Sequence, residues 1–188
     1  MPPKVKITKQ DIVQTALDLI RKQGEGAVNA RSIAAELSCS TQPVFSNFAT
    51  MEELQQAVLI AAYDHYLDCL KREVESGEYV PYKAMGRGYI RFAKEERELF
   101  KLLFMRNRSG EDLKPPPDFE ASVEIIMKAN EVTREQAQLM HLEMWACVHG
   151  IATMLATSFL SLEEELIGRM LSDVYQGIRT RYTAREGT

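Results

Sequence analysis

The chain has no C-x-x-C pair, and its three cysteines, Cys39, Cys69 and Cys147, are odd in number and far apart. That argues against a disulfide framework or a zinc finger and for a reducing compartment. Catalytic signatures are also missing: there is no G-x-S-x-G, no H-E-x-x-H and no glycine-rich phosphate loop. Cys147 and His149 are neighbours in sequence, but on a helix they would point about 200° apart. A cysteine nucleophile there would lack its base, so no enzyme, cofactor or metal is expected. No apolar run reaches the length of a membrane span, and the start lacks a signal-peptide core. These absences lead us to expect a soluble, cytoplasmic protein without a membrane partner. Strand-like alternation survives nowhere in the 188 residues, so the expected fold is all-α.

Positive charge is scarce as well. The net charge of −4 opposes nucleic-acid binding, but its distribution does not. Residues 1–50 hold six Lys or Arg against four acids, a net +2, which leaves −6 for the remainder. A basic head on an acidic body localises attraction for a polyanion at one end.

What the chain does have is a patterned stretch from Asn29 to Phe48. Ala30, Ile33, Ala34 and Leu37 recur at helical spacing, and Asn29 is placed to cap that helix. Ser38-Cys39-Ser40 suits a three-residue turn. Ser40 or Thr41 would cap a second short helix, with Pro43 in its first turn, where a missing N–H costs nothing. Val44, Phe45 and Phe48 are expected inward, and Thr41, Gln42, Ser46 and Asn47 outward. Carboxamides and hydroxyls on an exposed two-turn helix suit the reading of base edges. A solvated helix in an ordinary helical domain is the competing interpretation. Upstream, Thr8 to Gln23 forms an amphipathic helix carrying Ile12, Val13, Ala16, Leu17 and Ile20. Downstream, Thr50-Met51-Glu52-Glu53 is a capping box that opens a long fourth helix.

The run I-T-K-Q-D-I-V-Q-T-A-L-D-L-I-R-K-Q-G, the helix, turn and helix after it, and F-S-N-F-A-T-M-E-E-L resemble the N-terminal domain of TetR-family transcriptional regulators. The resemblance covers about the first 60 residues. Late in the chain, Trp145, His149 and Gly150 resemble the W-x-x-x-H-G signature of one regulator-domain subgroup. Departures stand at Ser38, Phe45 and Met51, where the family usually has Gly, Tyr and Lys. Ser38 must then adopt the turn conformation at a steric cost, and two backbone anchors for DNA are lost.

The resemblance implies a DNA-binding head over residues 1–50 and a ligand-binding, dimerising body over 51–188. Arg31 would contact a guanine, and Thr41, Gln42, Pro43 and Asn47 would face bases. Phe45 and Ser46 would lie near the sugar–phosphate backbone, and Lys6 and Lys9 would contact phosphates. The expected partners are a palindromic DNA operator, a small-molecule effector and a second copy of the chain. An all-α interaction protein with weakened DNA binding is the alternative.

Beyond the fourth helix, which runs to about Ser76, Pro81 and Gly86-Arg87-Gly88 break the pattern, although Tyr82 to Ala93 can still be helical. Short apolar Glu98 to Arg106 follows, then a loop to Pro117, and a helix capped by Asp118. Arg134 to Leu160 is apolar around most of its circumference, which predicts burial. Leu162 to Arg181 carries a wide apolar stripe suited to a four-helix dimer interface with its predecessor. His141, Trp145 and His149 share one helix face. That face suits packing with hydrogen-bonded imidazoles, or a ligand chamber with Tyr66, Arg87, Tyr89 and Phe104 as further lining. A metal site is disfavoured, because Trp145 interrupts the ligand spacing.

Overall fold

Thr8 starts the first helix with a reciprocal cap. Its hydroxyl accepts from the Asp11 N–H at 3.1 Å, while Asp11 Oδ2 accepts from the Thr8 N–H at 2.8 Å. In the computed structural model, which describes residues 7–107, 109 and 117–183, this helix is α1, Lys9–Gln23. It ends at Gly24, whose φ of 82° only glycine adopts at no cost. A 3-10 turn leads to α2 (Ala30–Glu36) and α3 (Gln42–Asn47). Then come α4 (Met51–Glu75), α5 (Pro81–Glu95), α6 (Arg97–Phe104), α7 (Pro117–Asn130), α8 (Arg134–Ala156) and α9 (Glu164–Thr183). Among the described residues there is no strand, and the all-α expectation holds.

Several boundaries differ from expectation. The glycines do not break α5, which runs unbroken through Gly86 and Gly88. A Cβ at Gly88 would lie 3.0 Å from Leu70 Cδ2 and 3.3 Å from Glu73 Cβ, and one at Gly86 would lie 3.5 Å from Val148 Cγ2. Each glycine costs the helix about 1 kcal/mol of propensity; close approach by α4 accounts for Gly88, whereas 3.5 Å at Gly86 is ordinary van der Waals contact. Asp118 falls inside the first turn of α7 and does not precede it.

The chain forms two compact units. One holds α1 to α4 as far as Cys69, together with Glu95–Arg106. There α1 packs on α2, α3 and α6. Ile12, Ile33, Leu99 and Phe100 are fully buried, each worth about 1.5–3 kcal/mol relative to exposure. The other unit holds Leu70–Lys94 and the chain from Asn107 onward. Its helices α7, α8 and α9 pack together around Val123, Ile126, Ala137 and Met140.

Helix α8 is not buried all round. Met140, Met144, Val148, Ile151 and Leu155 point inward, whereas Leu139 and Leu142 remain 50% and 55% exposed. By length and composition this helix is also apolar enough to cross a membrane, which corrects the expectation that no run would reach that length. From Leu139 to Ala156 its one charged residue besides the imidazoles is Glu143, while small Ala, Gly and Thr residues disguise the run. Its inward face is nevertheless part of the helical core.

Candidate nucleic-acid interface and effector-domain face

The reading head is assembled by local hydrogen bonds. Asn29 Oδ1 accepts from the N–H groups of Arg31 and Ser32, each at 3.0 Å, and Ser32 Oγ accepts from Asn29 N–H at 3.1 Å. Helix α2 then closes with two bonds, Ser38 N–H to Ala35 O (3.1 Å) and Cys39 N–H to Ala34 O (2.9 Å). That is a Schellman closure, and it puts Ser38 in the left-handed region at φ 51°. The turn conformation expected of Ser38 is therefore present, with a side chain the region disfavours.

Helix α3 starts differently from expectation. Thr41 lies in the right-handed helical region and its side chain caps nothing; its carbonyl instead accepts from Val44 N–H at 3.1 Å and Phe45 N–H at 3.3 Å. Pro43 does occupy the first turn. Val44 and Phe48 are buried, but Phe45 is 54% exposed and is not an inward residue. One residue on from Val44 is a rotation of about 100°, and two turns of helix hold only a narrow buried face.

The expected base readers divide in two groups. Gln42 is exposed, and Thr41 and Pro43 are half-buried. Ser46 is exposed, but its hydroxyl donates back to Gln42 O at 2.9 Å. Asn47 turns inward: its Nδ2 donates to Pro43 O at 2.8 Å and to Ile7 O at 3.3 Å, pinning the start of the described chain to the end of α3. Arg31 is exposed at the start of α2. Lys9 bonds Glu53 Oε1 at 3.1 Å and sits 4.9 Å from the centre of the Phe48 ring. Lys6 lies outside the described residues.

The capping box at α4 is shifted by one residue. Thr50 Oγ1 accepts from Glu53 N–H at 3.1 Å, but Glu53 Oε2 accepts from Ala49 N–H, at 2.7 Å, and not from Thr50. Those bonds, the Ala49 amide first and Lys9 second, hold the Glu53 carboxyl below its usual range. Deeper in the same unit, Glu96 accepts from Arg21 Nε at 2.9 Å and meets His65 Nε2 at 2.9 Å, linking α1, α4 and the α5–α6 corner. Burial pushes the Glu96 carboxyl up, yet Arg21 and His65 outweigh it and keep it ionised. Spacing in sequence gave no signal of this triad.

In the second unit, α5 and α8 lie side by side, joined by two bonds. Tyr82 Oη is 3.1 Å from His141 Nδ1, and Tyr89 Oη is 2.9 Å from His149 Nδ1. The tyrosines are seven residues apart on α5 and the histidines eight apart on α8, so two turns of each helix run parallel. Phe119 meets His141 edge-on at 5.2 Å, and Trp145 stacks on His149 at 4.8 Å and 13°. Burial raises the Tyr82 phenol and lowers the His149 imidazole. Both imidazoles on this face are hydrogen-bonded, and each meets an aromatic ring. Tyr82, which the sequence did not single out, could have been found by its seven-residue offset from Tyr89.

Of the other proposed lining residues, Arg87 lies about 140° round α5 from Tyr82. Its guanidinium bonds Glu164 Oε2 at 3.0 Å and covers the Tyr79 ring at 4.7 Å. Tyr66 and Phe104 belong to the first unit, where they meet edge-on at 5.1 Å. No cluster of three His, Cys, Asp or Glu side chains spaced for a metal ion occurs among the described residues.

A short exposed helix presented by a capped helix and a Schellman turn, followed by a separate helical body, defines a helix-turn-helix transcription regulator. Residues 82–174 match the family model of the tetracyclin repressor-like C-terminal domain. Over 164 residues the chain is 21% identical to an uncharacterised HTH-type transcriptional regulator of Mycobacterium tuberculosis, spanning 82% of this chain and 73% of that one. A solved protein of unknown function from Rhodococcus sp. RHA1 shares the fold with a TM-score of 0.75 at 19% identity, over 97% of this chain and 100% of that one. A member of the TetR family from Streptomyces coelicolor A3 gives 0.59 at 17% identity, over 88% and 96%. Residues 82–174 thus belong with the tetracyclin repressor-like C-terminal domains, and the chain as a whole has the helix-turn-helix and helical-bundle fold of TetR-family regulators.

Proposed function

We propose that the chain is a homodimeric, cytoplasmic, one-component repressor. Residues 1–50 bind a palindromic operator, and a small molecule taken up by the body over residues 51–188 releases it. The observation that carries this reading is the exposed face of α3, with Gln42 outward, together with the exposed Arg31 at the start of α2. The apolar residues left outward on the last two helices, Leu139 and Leu142 on α8 and Leu166 on α9, support self-association. A two-fold dimer sets two recognition helices about 34 Å apart, the spacing of successive major grooves. A ligand that favours a different spacing lowers DNA affinity by its differential affinity for the two states. The small positive excess of the head gives each subunit a modest salt dependence.

A second reading, an interaction protein with weakened DNA binding, is favoured by two features. Phe45 offers no hydroxyl to a phosphate, and Lys9 is already paired with Glu53. Fluorescence anisotropy separates the two readings, using DNA flanking the chain's own coding region, two salt concentrations and random competitor. Binding that survives competitor supports the repressor reading. Binding that is equal on all DNA, or absent at low salt, supports the second.

A further inference from the structure

We infer that Phe45 is a specificity-determining residue, reading the 5-methyl group of one thymine in each half-site. The inference rests on the DNA-binding reading above and adds what α3 reads. Several of the side-chain donors on that helix are already used. The Ser46 hydroxyl proton goes to Gln42 O, the Asn47 Nδ2 group donates to Pro43 O and Ile7 O, and Pro43 has no N–H. Gln42 stays outward, as does the Ser46 oxygen.

The largest group α3 presents to solvent is instead apolar. Phe45 is 54% exposed, and no other large hydrophobic residue described before Thr50 is left so open. Val44 and Phe48 beside it are buried at 1% and 3%, so α3 has a core face, and Phe45 is not on it. A phenyl ring held in water gains by meeting an apolar surface. In the major groove the apolar group displayed at base edges is the thymine methyl. The ring lacks the hydroxyl with which a tyrosine would hold a phosphate, so contact with carbon is the chemistry open to it.

The test uses the full chain. Duplexes that bind are selected from a random pool, and each thymine in the selected site is replaced in turn by uracil. That change removes the methyl and leaves every groove donor and acceptor in place. At one thymine per half-site, the native protein is expected to lose about fourfold in affinity, the factor that one buried methyl gives. The loss disappears in Phe45→Ala, persists in Phe45→Leu and persists in Gln42→Ala, with circular dichroism confirming that each variant is folded. Uracil penalties that are absent, or identical in the native protein and Phe45→Ala, overturn the inference and leave the regulator reading standing. Failure to select any duplex overturns the regulator reading, and the inference with it.

Discussion

The Tyr89 hydroxyl lies 2.9 Å from Nδ1 of His149, on whose ring Trp145 stacks. Which of the two groups carries the shared proton depends on the imidazole tautomer. Burial holds that imidazole below its ordinary value of 6.5, so the unfolded chain takes up a proton at higher pH than the folded one. The stability conferred by the neutral ring is complete above about pH 6.5 and falls as pH drops through 6.5 toward the folded value. Urea midpoints at pH 7.5 and 5.5 should therefore differ more for the native protein than for His149→Asn. Equal differences would remove His149 from the account.

Ser38, at φ 51°, closes α2 in a conformation that costs an L-residue roughly 1–2 kcal/mol. Ser38→Gly should raise stability by about 0.5–1 kcal/mol, after allowing for the extra freedom of glycine in the unfolded chain. For a chain of this size that is a rise in Tm of roughly 1–4 °C. An unchanged or lowered Tm in a calorimetric scan would show that the turn is held without strain.

Asn47, Gln42 and Lys9 should fail in three different ways. Asn47→Ala removes the donor to Ile7 O and Pro43 O, costs about 1 kcal/mol of stability and weakens all DNA sequences alike. Gln42→Ala relaxes preference at one position in each half-site. Lys9→Ala also weakens all sequences, but reduces the slope of log affinity against log salt by about one per subunit. Anisotropy on selected and scrambled duplexes over a salt series distinguishes the three. Loss of preference at a single base in Asn47→Ala would restore it as a base reader.

Leu142→Glu places a charge in the outward apolar face of α8, where the native side chain is 55% exposed. The monomer should stay folded while the dimer dissociates, as read by sedimentation velocity and circular dichroism. Ile60→Glu, at a residue 62% exposed on α4, is the control and should leave the assembly intact. A dimer that survives Leu142→Glu would place the interface elsewhere.

What the sequence determined by itself was the set of features made by neighbours a few residues apart. Helical periodicity and the Asn29 cap depend on contacts within one turn, and the residue types involved state them directly. So does the order of the helices that resembles the TetR head. The left-handed position at Ser38 was legible only through that resemblance, which puts glycine there. Tertiary structure decided the rest, because the partners are remote. Asn47 looked like a base reader until Ile7, 40 positions away, took its amide. Lys9 found Glu53 across 44 residues, and the two tyrosines found their histidines across 59 and 60. The six residues of α3 span too few turns for periodicity to fix which side faces the core. Packing against α1 and α2 buried Val44 and left Phe45 in water.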